Sequence, residues 1–227
     1  MSKHLMRDLE ALERMLLELS SRVEQMVQQA SRALVHRDPA AIAPVLESEN
    51  WVDVQEVVIE EECLKILALH QPVASDLRRV TTLLKINNEL ERIADLAVNI
   101  CERTRPLDEW PDLPVPAALP RMFDRSVQLV RDALDAFVRA DVAAARRVMS
   151  ADEEIDAMNR EVIAELQEVM QERHDLVAAA LHCFSASRHV ERIADHATNI
   201  AEDIIYLVDG EIARHQHEPE HGLNAAS

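Results

Sequence analysis

At 227 residues, with 48% apolar and 29% charged side chains, the chain can bury a sizeable core and lies outside the composition of disordered proteins. Its 24 basic residues against 42 acidic ones leave a net charge of −18, which argues against nucleic-acid binding and against anionic membrane surfaces, and points to proteins or cations as partners. The 2 glycines, Gly210 and Gly222, both lie near the end, so glycine-rich phosphate loops, dinucleotide turns, nucleophile elbows and type I′ hairpins are excluded and an all-α chain is expected.

The first segment places Leu5, Leu9, Leu12, Leu16, Leu19, Val23, Met26 and Ala30 in a 4-3 alternation, the seam of a helical bundle. It stops near His36-Arg37, where Asp38-Pro39 reads as an N-cap followed by proline in the first helical position. Pro44 lies too deep for that position, so the second helix is expected to kink, or to have a short first piece, before a longer run from about Ser48 to Leu69. Gln71-Pro72 turns the chain into a third helix, about Ala74 to Thr104. Pro106, Pro111, Pro114, Pro116 and Pro120 mark a linker over 106–118, separating a first unit at 1–105 from a second at 119–210.

In the second unit a helix over about Leu119 to Arg139 ends at Ala140-Asp141, a long helix is expected from about Val142 to Arg173, and a last one from about Asp175 to Val208 with Gly210 as its C′ residue. The tail at 211–227 is polar and expected to fray. Single, unpaired cysteines at Cys63, Cys101 and Cys183 are expected to be buried thiols of a cytosolic protein, and neither a signal peptide nor a membrane span is expected. Met15, Met26, Met149, Met158 and Met170 read as core filler.

The two units repeat one plan. Glu91-Arg-Ile-Ala-Asp95-Leu-Ala-Val-Asn99-Ile100 matches Glu191-Arg-Ile-Ala-Asp195-His-Ala-Thr-Asn199-Ile200 at the same point of the third and last helices, continuing to Glu102 and Glu202. At about 100° per residue, Glu191, Asp195 and Glu202 share one face, well away from the apolar seam Val190, Ile193, Ala197, Ile200 and Ile204. The preceding helices carry a second spaced pair, Glu49…Asp53 and Asp152…Asp156. If neighbouring helices run antiparallel, each unit gathers four carboxylates into one patch, an all-oxygen ligand set suited to magnesium, calcium, manganese or iron. Like charges held together repel, so a cation or a partner's arginine would relieve them. The plainer reading is a solvated charged face with ordinary i, i+3 pairs to Arg92, Arg188 and Arg192. His182, His189 and His196 recur every seven residues and read as surface histidines rather than a zinc stripe, since the first unit has no counterparts.

The phrase Gln71-Pro-Val-Ala-Ser-Asp-Leu-Arg78 and the two Glu-Arg-Ile-Ala-Asp runs resemble the PhoU family, accessory regulators of the bacterial phosphate-specific transport system. The family's usual motif has glycine where this chain has Ala94 and Ala194. The resemblance implies two tandem three-helix bundles, six helices in all, in a cytoplasmic homodimer that contacts the ATPase subunit of the phosphate ABC transporter and the phosphate sensor histidine kinase. It also implies a non-enzymatic role, repression of the phosphate-starvation response, and no nucleic acid or membrane insertion. Metal is expected as iron or as zinc, magnesium or manganese, in multinuclear clusters at Glu49, Asp53, Glu91, Asp95, Asp152, Asp156, Glu191 and Asp195. Two other readings stay open: a carboxylate-bridged metalloenzyme, disfavoured because the only Glu-x-x-His spacing is Glu218…His221 in the tail, and a metal-free helical scaffold.

Overall fold

The computed structural model describes residues 3–210, and among them every regular element is helical. The polar tail expected at 211–227 lies outside the described residues. Seven α-helices follow in order: α1 Lys3–Val35, α2 Ile42–His70, α3 Ala74–Thr104, α4 Leu119–Arg139, α5 Val142–Ser150, α6 Asp152–Glu172 and α7 Val177–Asp209. Each member of the α1 seam, from Leu5 to Ala30, is buried, and each fully buried leucine contributes roughly 1.5–3 kcal/mol. α1, α2 and α3 pack together as one bundle, and α4, the α5–α6 pair and α7 as the other.

The bundles are joined chiefly through α3 and α7. Three polar ties fix these helices antiparallel: Arg78 Nε donates to Leu207 O at 3.2 Å, Lys85 Nζ to Asp203 Oδ1 at 2.8 Å, and the His196 ring bonds Glu89. The Glu-Arg-Ile-Ala-Asp runs therefore lie side by side at the centre of the molecule, with Ile93 and Ile193 both fully buried. A second contact joins α1 to α4, where Arg131 pairs with Glu24.

Caps and turns follow the sequence closely. Asp38 accepts from Ala40 N–H with Pro39 behind it, Gln71 ends α2 in the left-handed region, Ala140 ends α4 there too, and Gly210 closes α7 at φ +76°. Two expectations are corrected. α2 runs as one helix through Pro44: the short first piece is a 3₁₀ turn at Pro39–Ala41, and α2 starts at Ile42 rather than near Ser48. Pro44 is the third residue of α2, where a backbone N–H would have no intrahelical acceptor, so proline costs little. The single helix expected over Val142 to Arg173 is instead two, breaking at Ala151 with ψ −5°. Ser150 Oγ turns back to Arg146 O at 2.6 Å, and Asp152, Glu153 and Glu154 supply an acidic first turn for a new helix.

The proline-rich segment is packed rather than a loose tether. Arg37 donates to Leu107 O at 3.0 Å and Leu113 O at 2.8 Å, both leucines are buried, and Trp110 stacks obliquely against His182 of α7. All three cysteines are free and buried. Met26 is fully buried, and Met15, Met149, Met158 and Met170 pack against the core.

Candidate functional site

α2 packs on α3 and α6 on α7, and each pair buries its apolar residues while leaving its carboxylates half-buried or exposed along the seam between the helices. In the first bundle this brings Glu49 and Asp53 of α2 beside Glu91 and Asp95 of α3; in the second, Asp152 and Asp156 of α6 beside Glu191 and Asp195 of α7. All eight are half-buried or exposed, and none is core. The register within each groove is pinned by a buried polar tie at matching positions. Asn87 Nδ2 donates to Glu56 O at 2.9 Å between α3 and α2, and Ser187 Oγ donates to Asn159 Oδ1 at 3.3 Å between α7 and α6.

Burial first, and mutual crowding second, lift these carboxyls above their ordinary values. Burial, then the charges of Asp53, Asp95 and Glu102, holds Glu49 above the ordinary carboxylate range. Burial followed by Asp95, with smaller contributions from Glu56 and Asp53, raises Glu91 despite Arg92; burial and Asp53 raise Asp95. In the second patch burial, then Asp195, Asp156 and Glu191, pushes Asp152 up to about 6. Glu191 and Asp195 are raised as well, burial first, although Arg188 pairs with Glu191 and His196 opposes the shift at Asp195. The first patch extends further than the spacing argument reaches: Glu56 is raised by burial, Glu60 and Asp53. The signal for it was the 4-3-4 run Glu49, Asp53, Glu56, Glu60 along α2, hidden because the second unit has Asn159 in place of Glu56.

Such an all-carboxylate set, partly desolvated and mutually repelling, has the donor chemistry that hard and borderline cations take. Among the described residues no three His, Cys, Asp or Glu side chains close on one point as they stand, so the patches are open arrays rather than closed cages.

The histidines of α7 depart from the surface reading. His196 is buried and bonded to Glu89 of α3, His189 is half-buried with no hydrogen bond to either ring nitrogen, and His182 lies half-buried near Trp110. Burial and then Arg192 and Arg103 lower the His189 pKa. Glu89 is a structural group: burial would raise it, but hydrogen bonds from His196 and Asn199 outweigh burial and hold it below the ordinary range.

The PhoU domain model matches residues 16–104 and 119–204, one copy on each bundle. The chain belongs to the PhoU family. The phosphate-specific transport system accessory protein PhoU of Serratia marcescens is 33% identical over 92% of this chain and 86% of its own length, and the PhoU homolog of Pseudomonas putida is 38% identical over 92% and 82%. Solved PhoU structures share the architecture. That of Pseudomonas aeruginosa aligns with a TM-score of 0.86 at 35% identity, covering 90% of this chain and 99% of its own. The phosphate transport system regulatory protein PhoU of Streptococcus pneumoniae aligns at 0.85 and 26% identity, covering 92% and 98%. Among the described residues no helix is long and apolar enough to cross a membrane.

Proposed function

We infer that this chain regulates phosphate uptake and homeostasis as a non-enzymatic protein, repressing the phosphate-starvation response by linking the ATPase subunit of the phosphate ABC transporter to the phosphate sensor histidine kinase. The observation that carries this reading is the match to PhoU over both bundles, with both carboxylate patches in place. The architecture supports it: a packed, glycine-free helical body whose chemistry faces outward suits contact with other proteins better than turnover of a small substrate. Cytoplasmic residence and a homodimer belong to the same reading.

Within it, Glu49, Asp53, Glu91 and Asp95 would hold metal on one bundle and Asp152, Asp156, Glu191 and Asp195 on the other. A bound cation would supply positive charge, reversing the local sign where the chain's own field repels anions. Without it, these carboxylates keep acidic surfaces and free phosphate away.

The test is complementation. In the organism that encodes it, deleting the gene is expected to switch on a phosphate-starvation reporter in phosphate-rich medium, and restoring the chain should silence it. A reporter that stays silent after deletion would overturn the reading.

A further inference from the structure

The internal repeat offers a control that few single chains have. Residues of α2 and of the α5–α6 pair correspond at a constant offset: Asp38 and Asp141 are both N-caps, and Val45, Val52, Ile59 and Cys63 occupy the same buried places as Val148, Ile155, Val162 and Leu166. Surface positions can therefore be compared between the two bundles, and the carboxylate face keeps its character, with Asp152 and Asp156 standing where the first bundle has Glu49 and Asp53.

One face does not. Val54, Val57 and Leu64 of α2 are 58%, 50% and 53% exposed, and with Ala68 they fall within roughly an 80° arc of the helix. The corresponding residues of α6 are Ala157, Arg160, Gln167 and Gln171, three of them fully polar and exposed. The fold leaves this face open in both bundles and demands apolar side chains on neither. Only the first bundle has them, although both retain the carboxylate pairs. The end of α2 and the turn into α3 continue the apolar character with Leu69 and Val73, 70% and 74% exposed.

We propose that this face of α2 docks a basic amphipathic helix of a partner protein. The apolar stripe supplies the anchors, in the helix-on-helix mode that reads i, i+3, i+4 and i+7 contacts. The sign of the partner follows from the flanks: Asp53 and Glu60 border the stripe on the side of the carboxylate patch, with Glu49 and Glu56 behind them, Glu61 lies within it, and on the opposite border the cation Lys65 is paired with Glu62. A cationic helix neutralises that border, whereas a second copy of this chain would bring a surface of the same sign against it, in a molecule already at −18. The partner class deepens the regulatory reading and rests on it; the surface itself can be tested separately.

The probe is a fluorescent peptide of about 18 residues built from leucine and lysine at amphipathic helical spacing, long enough to lie along the stripe, beside a scrambled peptide of identical composition. Anisotropy titrations are made in chelator-containing buffer at near-physiological salt. The chain should bind the amphipathic peptide at least about tenfold tighter than the scrambled one, a difference of about 1.4 kcal/mol. The triple substitution Val54→Ala, Val57→Arg, Leu64→Gln copies the residues of α6 and should abolish that preference while leaving the melting temperature within a few degrees. The reverse graft onto α6, Ala157→Val, Arg160→Val, Gln167→Leu, should raise the stoichiometry to two peptides per chain, a gain that misfolding cannot imitate. Equal affinity for both peptides, or no change in the triple variant, would overturn the proposal. So would sedimentation showing a dimer that the triple variant alone dissociates, since the occupant would then be a second copy. In cells, a triple variant that no longer silences the reporter supports the surface as the regulatory contact. One that silences it as fully as the wild type refutes the surface and leaves the regulatory reading standing.

Discussion

Asp152 shows how far a single residue reports on the site. Its carboxyl sits in the first turn of α6 among Asp156, Glu191 and Asp195, and keeps its proton up to about 6 against an ordinary value of 3.8. Between those values the folded chain binds more protons than the unfolded one, so this group's stabilising contribution is fully present below about 3.8 and lost as pH rises through about 6. Glu49, Glu56, Glu91, Asp95, Glu191 and Asp195 shift in the same direction. These carboxylates should therefore raise the melting temperature in chelator as pH falls from 7.5 to 5.5, against the opposite pull of the lowered His189, and Asp152→Asn should rise less than the wild type; an identical slope would show that neither burial nor crowding raises this carboxyl. All eight patch residues could be found from sequence because duplication turned a common surface spacing into a repeated one. His196 could not be found by charge or spacing, yet the repeat held the clue: it stands where the first bundle has Leu96, which is 3% exposed, so the position faces inward. Polar type misled where position would have decided, and the Glu89 contact then satisfies the buried ring.

At the scale of elements, helix identity followed from composition and seam, and the boundaries followed from caps. What the sequence concealed was the break at Ala151, because Val142 to Glu172 contains neither glycine nor proline and the break is made by competition between local hydrogen bonds and a fresh acidic N-terminus. The proline at 44, which looked disruptive, is harmless for a reason of one-residue precision: it falls within the first turn. α5 is short, so its cap matters more than most. Asp141 accepts from Ala144 N–H at 2.9 Å, and Asp141→Ala should cost about 1 kcal/mol, seen as a fall of about 2–4 °C in melting temperature. No change would mean that packing of Ala145 and Val148 alone holds this helix.

At the scale of the molecule, two bundles of one plan are fused along α3 and α7 into a single body, with the carboxylate grooves on the flanks. Because α7 packs against α3 as well as its own bundle, the halves should not unfold separately. Calorimetry should give one transition, and Ile193→Ala, removing a fully buried side chain of α7, should lower it by about 2–5 kcal/mol of stability without splitting it. Two resolved transitions would show the bundles to be thermodynamically independent. One folded body holds the two acidic patches at fixed positions on a single scaffold.

The claim that these patches are ligand sites is tested most directly by metal content. Mass spectrometry on untagged protein purified without chelator, beside a variant with Glu91, Asp95, Glu191 and Asp195 all changed to Ala, should find several equivalents of metal per chain in the wild type and almost none in the variant. Near-zero metal in both would contradict it and return the carboxylates to solvated surface.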